Sequence, residues 1–191
     1  MSRRVHVFGA AGCGATTLGR ALAQRLRCPH LDADDYFWIP TDPPYQRSWP
    51  RLKKQALLRA DLTRHNGWVL TGAILGWGDV FMPLFDLVVF LRAPAAIRIA
   101  RIRERERRRF GDAALAPGGA LHGHYRQFLA RAAAYDGDRL KLRCRRAHEQ
   151  WLARLACPVQ RLDGSEPVRD NLDQILRCVA TLDAPESIPG I

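Results

Sequence analysis

The stretch GAAGCGATT, residues 9–17, decides the fold of this chain. It follows the short apolar segment RVHVFG at residues 4–9 and precedes TTLGRALAQRLR at residues 16–27, in which leucines recur at helical spacing. A strand that passes through a glycine-rich turn into a helix points the N–H groups of the turn and of the helix N-terminus toward one place, where an anion is favoured. The stretch therefore predicts a phosphate-binding loop.

The individual loop positions suit different parts of that task. The glycines let the backbone wrap closely around a phosphate, and the Thr16 hydroxyl is placed to reach a magnesium ion. Ala15 occupies the position at which such a loop normally carries a lysine, so we expect altered chemistry at the site. We interpret Cys13 as a small filling residue and not as a reactive nucleophile. The loop residues predicted to contact the nucleotide are Gly9, Gly12, Cys13, Gly14, Ala15, Thr16 and Thr17.

Length and composition describe a single globular domain. The chain has 191 residues, of which 47% are hydrophobic, and no window approaches eighteen uninterrupted apolar residues. We expect a cytoplasmic protein with no membrane partner. The five cysteines are scattered without a C-x-x-C pair, which favours reduced thiols over a zinc or redox site.

The positive charge of the chain predicts an anionic partner. The formal net charge is +11 and the isoelectric point about 10.3. Arginine concentrates in RIRERERRRF at residues 101–110 and in RLKLRCRRAH at residues 139–148. Because the guanidinium group forms paired hydrogen bonds with phosphate, the partner is either a small phosphorylated ligand or a nucleic-acid backbone. A solvated surface without a partner is the third interpretation of part of this charge.

Strand and helix patterns alternate along the chain, which predicts an α/β fold with a parallel sheet covered on both faces. The predicted strand segments are residues 4–9, 30–34, 67–74, 86–94 and 157–167. The predicted helices are residues 16–27, 51–65, 95–110, 125–137, 139–156 and 168–182. We predict one domain over residues 1–183, in which residues 103–138 form a lid-like insertion, and a loosely held tail at residues 184–191.

Several segments, in the same order, resemble a known group of enzymes. GAAGCGATTLGRALAQRL with PHLDADDYF is similar to the loop, first helix and second strand of shikimate kinases, and VLTGA at residues 69–73 is similar to their third strand. LRAPAAIRIARIRER at residues 91–105 and RLDGSEPVRDNLDQIL at residues 161–176 resemble adenylate kinases. The chain thus resembles the adenylate kinase and shikimate kinase branch of P-loop proteins, and more closely the uncharacterised bacterial adenylate-kinase-like proteins described as AAA-family ATPases.

The resemblance implies a P-loop NTPase three-layer fold with a five-stranded parallel sheet and a helical lid. It implies that the carboxylates after the second strand serve magnesium and the acceptor, which assigns the metal to Thr16 and Asp32. Asp34 would be the acceptor base or anchor. It further implies that Arg101 and Arg105 stack on adenine and reach the phosphates. The adenine would lie near Gly164, Ser165 and Pro167.

Two positions depart from the family pattern. The loop lysine is replaced by Ala15, and the carboxylate that adenylate kinases carry after the third strand corresponds to Thr71. An electrostatic contact to the developing charge is commonly worth ~3 kcal/mol or more, so another cation would have to compensate. Magnesium would be left to Thr16 and the Asp32 and Asp34 pair. The candidate cations are Arg20, Arg101, Arg105, Arg107, Arg108 and Arg109.

Other residues near the predicted site have two interpretations each. The aspartates of DADD at residues 32–35 either serve the ligands or cap the following helix. Four aromatic side chains either pack in the core or line an acceptor pocket, and these are Tyr36, Phe37, Trp38 and Trp77. We predict that His122 and His124 lie in an exposed loop and do not bind a metal.

These observations predict an ATP-binding, magnesium-dependent kinase that acts on an unidentified small molecule or nucleotide. Its predicted catalytic residues are Asp34, Arg101 and Arg105. A non-catalytic nucleotide-binding protein of kinase fold is the first alternative, because Ala15 removes a cation from the loop. A nucleic-acid-binding protein that uses the arginine clusters is the second.

Overall fold

The computed structural model describes residues 3–137 and 142–183. Within these residues, five parallel strands form one sheet in the order β2-β3-β1-β4-β5. The strands are β1 (Arg4–Gly9), β2 (His30–Asp32), β3 (Trp68–Thr71), β4 (Leu87–Arg92) and β5 (Val159–Asp163). This architecture confirms the predicted α/β fold. The predicted tail at residues 184–191 lies outside the described residues.

Helices cover both faces of this sheet. They are α1 (Ala15–Leu26), α2 (Ala33–Phe37), α3 (Arg51–Leu62), α4 (Ala95–Phe110), α5 (Asp112–Leu115), α6 (His122–Ala133), α7 (Arg145–Leu152) and α8 (Val168–Asp183). Two short 3₁₀ helices, Asp79–Leu84 and Ala134–Asp136, connect them. Among the described residues, no helix combines the length and the apolar character that crossing a bilayer requires.

The alternation of side chains along β1 divides the core in two. Val5 and Val7 point to one face, where they pack with residues of α1 and α8 such as Leu22 and Ile175. Phe8 points to the other face, into the cluster that contains residues of α3 and α7. Because both faces are covered, the central strands are buried throughout, and β4 reads as the continuous apolar run LVVFL.

The strand order places the loop at a reversal point of the sheet. β1 lies in the centre, with β3 and β2 on one side and β4 and β5 on the other. The loop leaves the carboxyl end of β1, which is the edge at which open α/β sheets bind ligands. One side of the loop therefore faces the ends of β2 and β3, and the other side faces the ends of β4 and β5.

Several element boundaries differ from the sequence prediction, three of them near residues predicted for the site. The second strand ends at Asp32 and not at residue 34, because the Asp32 carboxylate accepts the Asp34 N–H at 3.1 Å and begins α2. The helix predicted over residues 139–156 is α7, Arg145–Leu152, and residues 138–141 lie outside the described residues. The loop predicted around His122 is wrong, because α6 begins there and the His122 ring pairs with the Leu115 carbonyl at 2.9 Å.

Two histidines are enclosed in the aromatic half of the core. The His6 ring stacks on Phe8 and Phe85 with centroids 5.0 and 4.9 Å apart, and its Nδ1 lies 3.1 Å from the Leu70 carbonyl oxygen. His148 Nδ1 lies 2.8 Å from the Tyr135 hydroxyl. Burial lowers the pKa of His6 to about 3 and that of His148 to about 4. Both imidazoles are therefore neutral in the folded protein near neutral pH.

These two histidines predict a loss of stability in mild acid. Below pH ~6.5 the imidazoles of the unfolded chain become protonated, whereas those of the folded protein stay neutral. The free energy of unfolding that is present at neutral pH is therefore lost as the pH falls. Between pH 7.5 and 5.5 the two groups should lower the free energy of unfolding by about 2–3 kcal/mol, measured by urea titration. His148→Gln should remove about half of that dependence. Exposed His65→Gln is the control and should retain all of it; an unchanged dependence in His148→Gln would contradict the assignment.

Candidate functional site

The loop between β1 and α1 is built on close backbone approach. A Cβ on Gly9 would overlap the Leu91 carbonyl oxygen, and Gly12 and Gly14 have φ of +82° and +100°, which strain other residues. The Cys13 N–H donates to the Ala10 carbonyl at 3.0 Å and closes the turn. No side chain in the described part of the chain caps α1, so its first N–H groups are left for an anion.

Cys13 lies inside this turn and is buried. Burial raises the pKa of its thiol to about 11, so the sulfur stays protonated near neutral pH. A protonated thiol is a poor nucleophile, which agrees with a filling role. The neighbouring Ala15 begins α1 without a charge, so any cation at this end of the loop comes from another element.

The two residues predicted to hold magnesium lie together. The Thr16 hydroxyl donates to Asp32 Oδ2 at 3.1 Å, and Asp32 Oδ1 accepts the Asp34 N–H. Asp32 therefore caps α2 and also contacts Thr16 of the loop, while its role as a metal ligand stays a prediction. A hydroxyl and a carboxylate are hard oxygen ligands that suit Mg²⁺. Residues 3–137 and 142–183 hold no cluster of three or more His, Cys, Asp or Glu that could bind a metal by themselves.

Thr71 stands where adenylate kinases carry a carboxylate after the third strand, and its side chain contacts the neighbouring strand of the sheet. Its buried hydroxyl lies 3.0 Å from His30 Nε2 and 3.4 Å from the Leu31 carbonyl oxygen, so it links β3 to β2. A Cβ on Gly19 would overlap the Thr71 methyl group, so α1 lies directly against this strand. Thr71 is the register partner of Asp32 in the sheet, but its hydroxyl is engaged with His30 and the Leu31 carbonyl oxygen.

Asp34 lies at the open cleft and is perturbed by its surroundings. Loss of water around its carboxylate, and then the negative charge of Asp32, raise its pKa. Arg143, Trp38 and Arg105 oppose this rise, so all three lie near the carboxylate. A carboxylate with a raised pKa is a better proton acceptor near neutral pH than an ordinary one.

Arg143 at this cleft is the residue that the sequence reasoning did not single out. It lies in the second arginine cluster, where the spacing of the side chains gives no way to choose the one that faces Asp34. Its guanidinium carbon lies 5.0 Å from the Phe37 ring centroid. The available signal was only the density of arginine after the predicted lid.

On the other side of the loop, Arg101 and Gly164 come together. Arg101 Nη1 donates to the carbonyl oxygens of Gly164 at 2.7 Å and Cys13 at 3.4 Å. A cavity of about 210 Å³ opens here between α1, Leu91 and the turn after β5. A Cβ on Gly164 would overlap the Cys13 carbonyl oxygen, so the turn can approach the loop only without a side chain.

Ser165 stabilises this turn by hydrogen bonds to Asp163, two residues earlier. Its N–H and hydroxyl both donate to Asp163 Oδ1, which holds the pKa of Asp163 below its ordinary value. The Asn171 amide donates to the Asp163 carbonyl at 2.7 Å and fixes the start of α8. The Ser165 hydroxyl is therefore engaged within the turn, while the backbone of the turn lies beside the cavity.

The remaining candidate cations have carboxylate or aromatic partners. Arg105 pairs with Glu106 at 2.8 Å and lies over Phe128, 5.7 Å from its ring centroid. Arg107 and Arg108 both pair with Glu104 on the exposed side of α4. Arg109 donates to the Tyr45 hydroxyl, and Arg20 lies close enough to His30 and Asp35 to act on their pKa values. Of the candidates, Arg101 contacts the loop, and the positive charge of Arg105 opposes the rise of the Asp34 pKa.

Arg98 ties the helices after β4 to the loop. Its guanidinium is 1% exposed and donates to the carbonyls of Ala93 and Ala132 and, at 2.6 Å, to Asp136. These bonds join the end of β4 to the end of α6. A Cβ on Gly12 would overlap the Arg98 carbonyl oxygen, so the phosphate-binding loop rests on the first turn of α4.

Two of the four aromatic residues pack in the core, and the other two border the cleft. Tyr36 and Trp77 are buried in the core, and the Tyr36 hydroxyl donates to Asp61 at 2.8 Å. Phe37 and Trp38 are partly exposed and contact each other, with ring centroids 4.8 Å apart. The latter two border the cleft beside Asp34.

Comparison with known proteins finds similarity over most of the chain. The family model described as "AAA domain" matches residues 5–113, more than half of the chain. The uncharacterized protein YqaC of Bacillus subtilis (strain 168) is 42% identical over 176 residues, which cover 92% of this chain and 97% of that protein. Shikimate kinase 2 of Sodalis glossinidius (strain morsitans) is 31% identical over 112 residues, 54% of this chain and 64% of that protein.

Solved structures share the fold at low sequence identity. Shikimate kinase from Acinetobacter baumannii, in complex with shikimate, superposes with a TM-score of 0.57 at 16% identity and covers 97% of both chains. Deoxyadenosine kinase from M. mycoides superposes with a TM-score of 0.53 at 14% identity, over 94% of this chain and 100% of that chain. The resemblance to P-loop kinases predicted from the sequence is confirmed at the level of the fold.

The contact between α1 and β3 can be tested with two helical glycines. Gly19→Ala should lower the free energy of unfolding by about 1–3 kcal/mol, because the new methyl group overlaps Thr71. Gly123→Ala is the matched control: no described residue lies within 4 Å of its Cβ position, and alanine should raise stability by about 0.5 kcal/mol. Urea titration of both variants measures the contrast. Equal effects would show that the packing at Gly19 is looser than described.

Proposed function

This chain belongs to the AAA-domain family, and we propose that it transfers the γ-phosphoryl group of ATP to a small-molecule acceptor in the cytoplasm. The observation that carries the proposal is the pairing of Thr16 with Asp32 at 3.1 Å beside the uncapped N-terminus of α1. A hydroxyl and a carboxylate beside a cluster of N–H groups form a site for a metal-bound polyphosphate.

The cavity beside Arg101 and Gly164 is the proposed adenine site. It adjoins the loop, so a nucleotide whose base lies there has its phosphates over the N–H groups of Gly14 and Thr16. Arg101 would contact the base and the phosphates from α4. The glycine at 164 supports this proposal, because a Cβ there would overlap the Cys13 carbonyl oxygen and force the turn away from the loop.

Thr16 and Asp32 are the proposed holders of Mg²⁺. The bound ion neutralises charge on the phosphate oxygens. Asp34 accepts the proton of the acceptor hydroxyl as the new oxygen–phosphorus bond forms and ADP leaves with the electrons of the broken bond. Its raised pKa supports this role, because the pKa of the base then lies closer to neutral pH.

Arg105 is the proposed substitute for the missing loop lysine. Its positive charge opposes the rise of the Asp34 pKa, and it is paired with Glu106 at 2.8 Å, whereas Arg107 and Arg108 both pair with Glu104 on the exposed side of α4. The insertion that contains α4, α5 and α6 would act as a lid that brings this guanidinium to the phosphates and excludes water. Arg98 would fix the base of that lid.

Two alternatives remain, each with its own signature. A non-catalytic nucleotide-binding protein would bind ATP tightly and transfer nothing, and the uncharged Ala15 is the observation that favours it. A nucleic-acid-binding protein would show steeply salt-dependent binding that ATP does not compete away.

Calorimetric titration with ATP, with and without magnesium, tests the nucleotide site. We expect micromolar binding of Mg·ATP, and about tenfold weaker binding of Mg·ATP by Asp32→Asn because one metal ligand is lost. Without magnesium, wild type and Asp32→Asn should bind alike. Asp170→Asn, on the exposed start of α8, is the control and should match wild type. No detectable binding by the wild type would overturn the proposal.

The lysine substitute can be tested by combining two positions. Arg105→Ala should lower the release of γ-phosphate about 100-fold or more, because a cation facing the transferred group is lost. Adding Ala15→Lys to Arg105→Ala should restore part of this rate, whereas Ala15→Lys alone should raise the rate or leave it unchanged. Arg107→Ala, paired with Glu104 on the exposed side, is the control and should retain the rate. Normal turnover of Arg105→Ala would rule out this assignment.

A further inference from the structure

A buried hydrogen-bond acceptor without a partner belongs to a residue that lines the cavity beside the loop. Asn171, on α8, is 2% exposed and lines the cavity of about 210 Å³ between α1 and the turn after β5. Its amide nitrogen donates to the Asp163 carbonyl oxygen at 2.7 Å. Its Oδ1 is buried and accepts no hydrogen bond from the part of the chain that the structure describes.

The Asn171 amide cannot relieve this by turning over. An exchange of its nitrogen and oxygen would bring Oδ1 to the Asp163 carbonyl oxygen, so two acceptors would face each other at 2.7 Å. The bond to Asp163 therefore fixes which atom of the amide is left over. A buried polar group without a hydrogen bond costs about 1–3 kcal/mol, and a donor from a ligand would remove that cost.

The other side chains around the cavity indicate what kind of ligand would bring this donor. Leu18, Leu91 and Val168 give the cavity apolar walls, and Val168 is 39% exposed although it is apolar. Arg101 already donates to two backbone carbonyl oxygens. Apolar walls beside one buried acceptor suit a flat aromatic base that carries an amino group at its edge.

We propose that Asn171 selects the nucleobase by accepting a hydrogen bond from the 6-amino group of adenine. The inference rests on the nucleotide site of the proposed function and adds the residue that chooses the base. Guanine and hypoxanthine carry a 6-oxo group in place of the amino group. With either base, two oxygens would face each other without a proton, so GTP and ITP should be rejected.

Calorimetric titration of the wild-type protein with Mg·ATP, Mg·ITP and Mg·GTP tests the choice of base. We expect ATP to bind about tenfold or more tightly than ITP, and GTP to bind as weakly as ITP. Equal binding of ATP and ITP, or tighter binding of GTP, would overturn this proposal and leave the nucleotide site standing. No binding of any of the three would overturn the nucleotide site together with it.

Variants show whether Asn171 is the source of the discrimination. Asn171→Leu keeps a branched side chain without polar groups and should lower the preference for ATP over ITP about tenfold. Asn171→Ala adds no bulk and should do the same if leucine disturbs the packing. Asp173→Asn, at an exposed position of α8, is the control and should keep the full preference. If Asn171 only supported the turn, its loss would weaken ATP and ITP alike; an unchanged ratio would overturn the assignment.

Discussion

The site depends on three close backbone contacts around the loop that follows β1. The Gly9 Cα faces the Leu91 carbonyl, Gly164 faces the Cys13 carbonyl, and Gly12 faces the Arg98 carbonyl, each at a distance that excludes a Cβ. These contacts bring the ends of β1, β4 and β5 and the first turn of α4 around one loop. An error of one ångström here would move every N–H group that is directed at the phosphate, so the three glycines set the precision of the whole site.

Charge is distributed unequally around this loop. On the proposed nucleotide side, Arg101 donates to two carbonyl oxygens, so it is held in place without a counter-ion. On the proposed acceptor side, loss of water and then the negative charge of Asp32 raise the pKa of Asp34, while Lys54 and Arg143 face one aromatic ring. Like charges that are kept close need a ligand of opposite charge to be stable. Under the proposed function, magnesium would meet this need at the carboxylates.

The uncharged Ala15 changes what the lid would have to do. With a lysine in the loop, much of the charge compensation is present before the lid moves. Without it, the cation would come from α4, whose base is fixed by the buried Arg98 and whose far end meets Tyr45. Under the proposed function, catalysis and closure are therefore the same event, because the phosphates gain their cation only when the lid lies over them.

The sequence by itself determined most of the local structure and the succession of strands and helices along the chain, but not the order of the strands in the sheet. Period-two and period-3.6 patterns gave the strands and helices, and the glycine spacing gave the loop, because these depend on neighbours within a few residues. It did not show that Asp32 would end β2 or that the Thr71 hydroxyl would contact His30. Nor did it show that Tyr36 would be buried while Phe37 borders the cleft. Only the tertiary structure decided which arginine faces Asp34 and that Lys54 is buried. Such choices depend on contacts between residues far apart in the chain, such as Lys54 and Arg143, which no local pattern encodes.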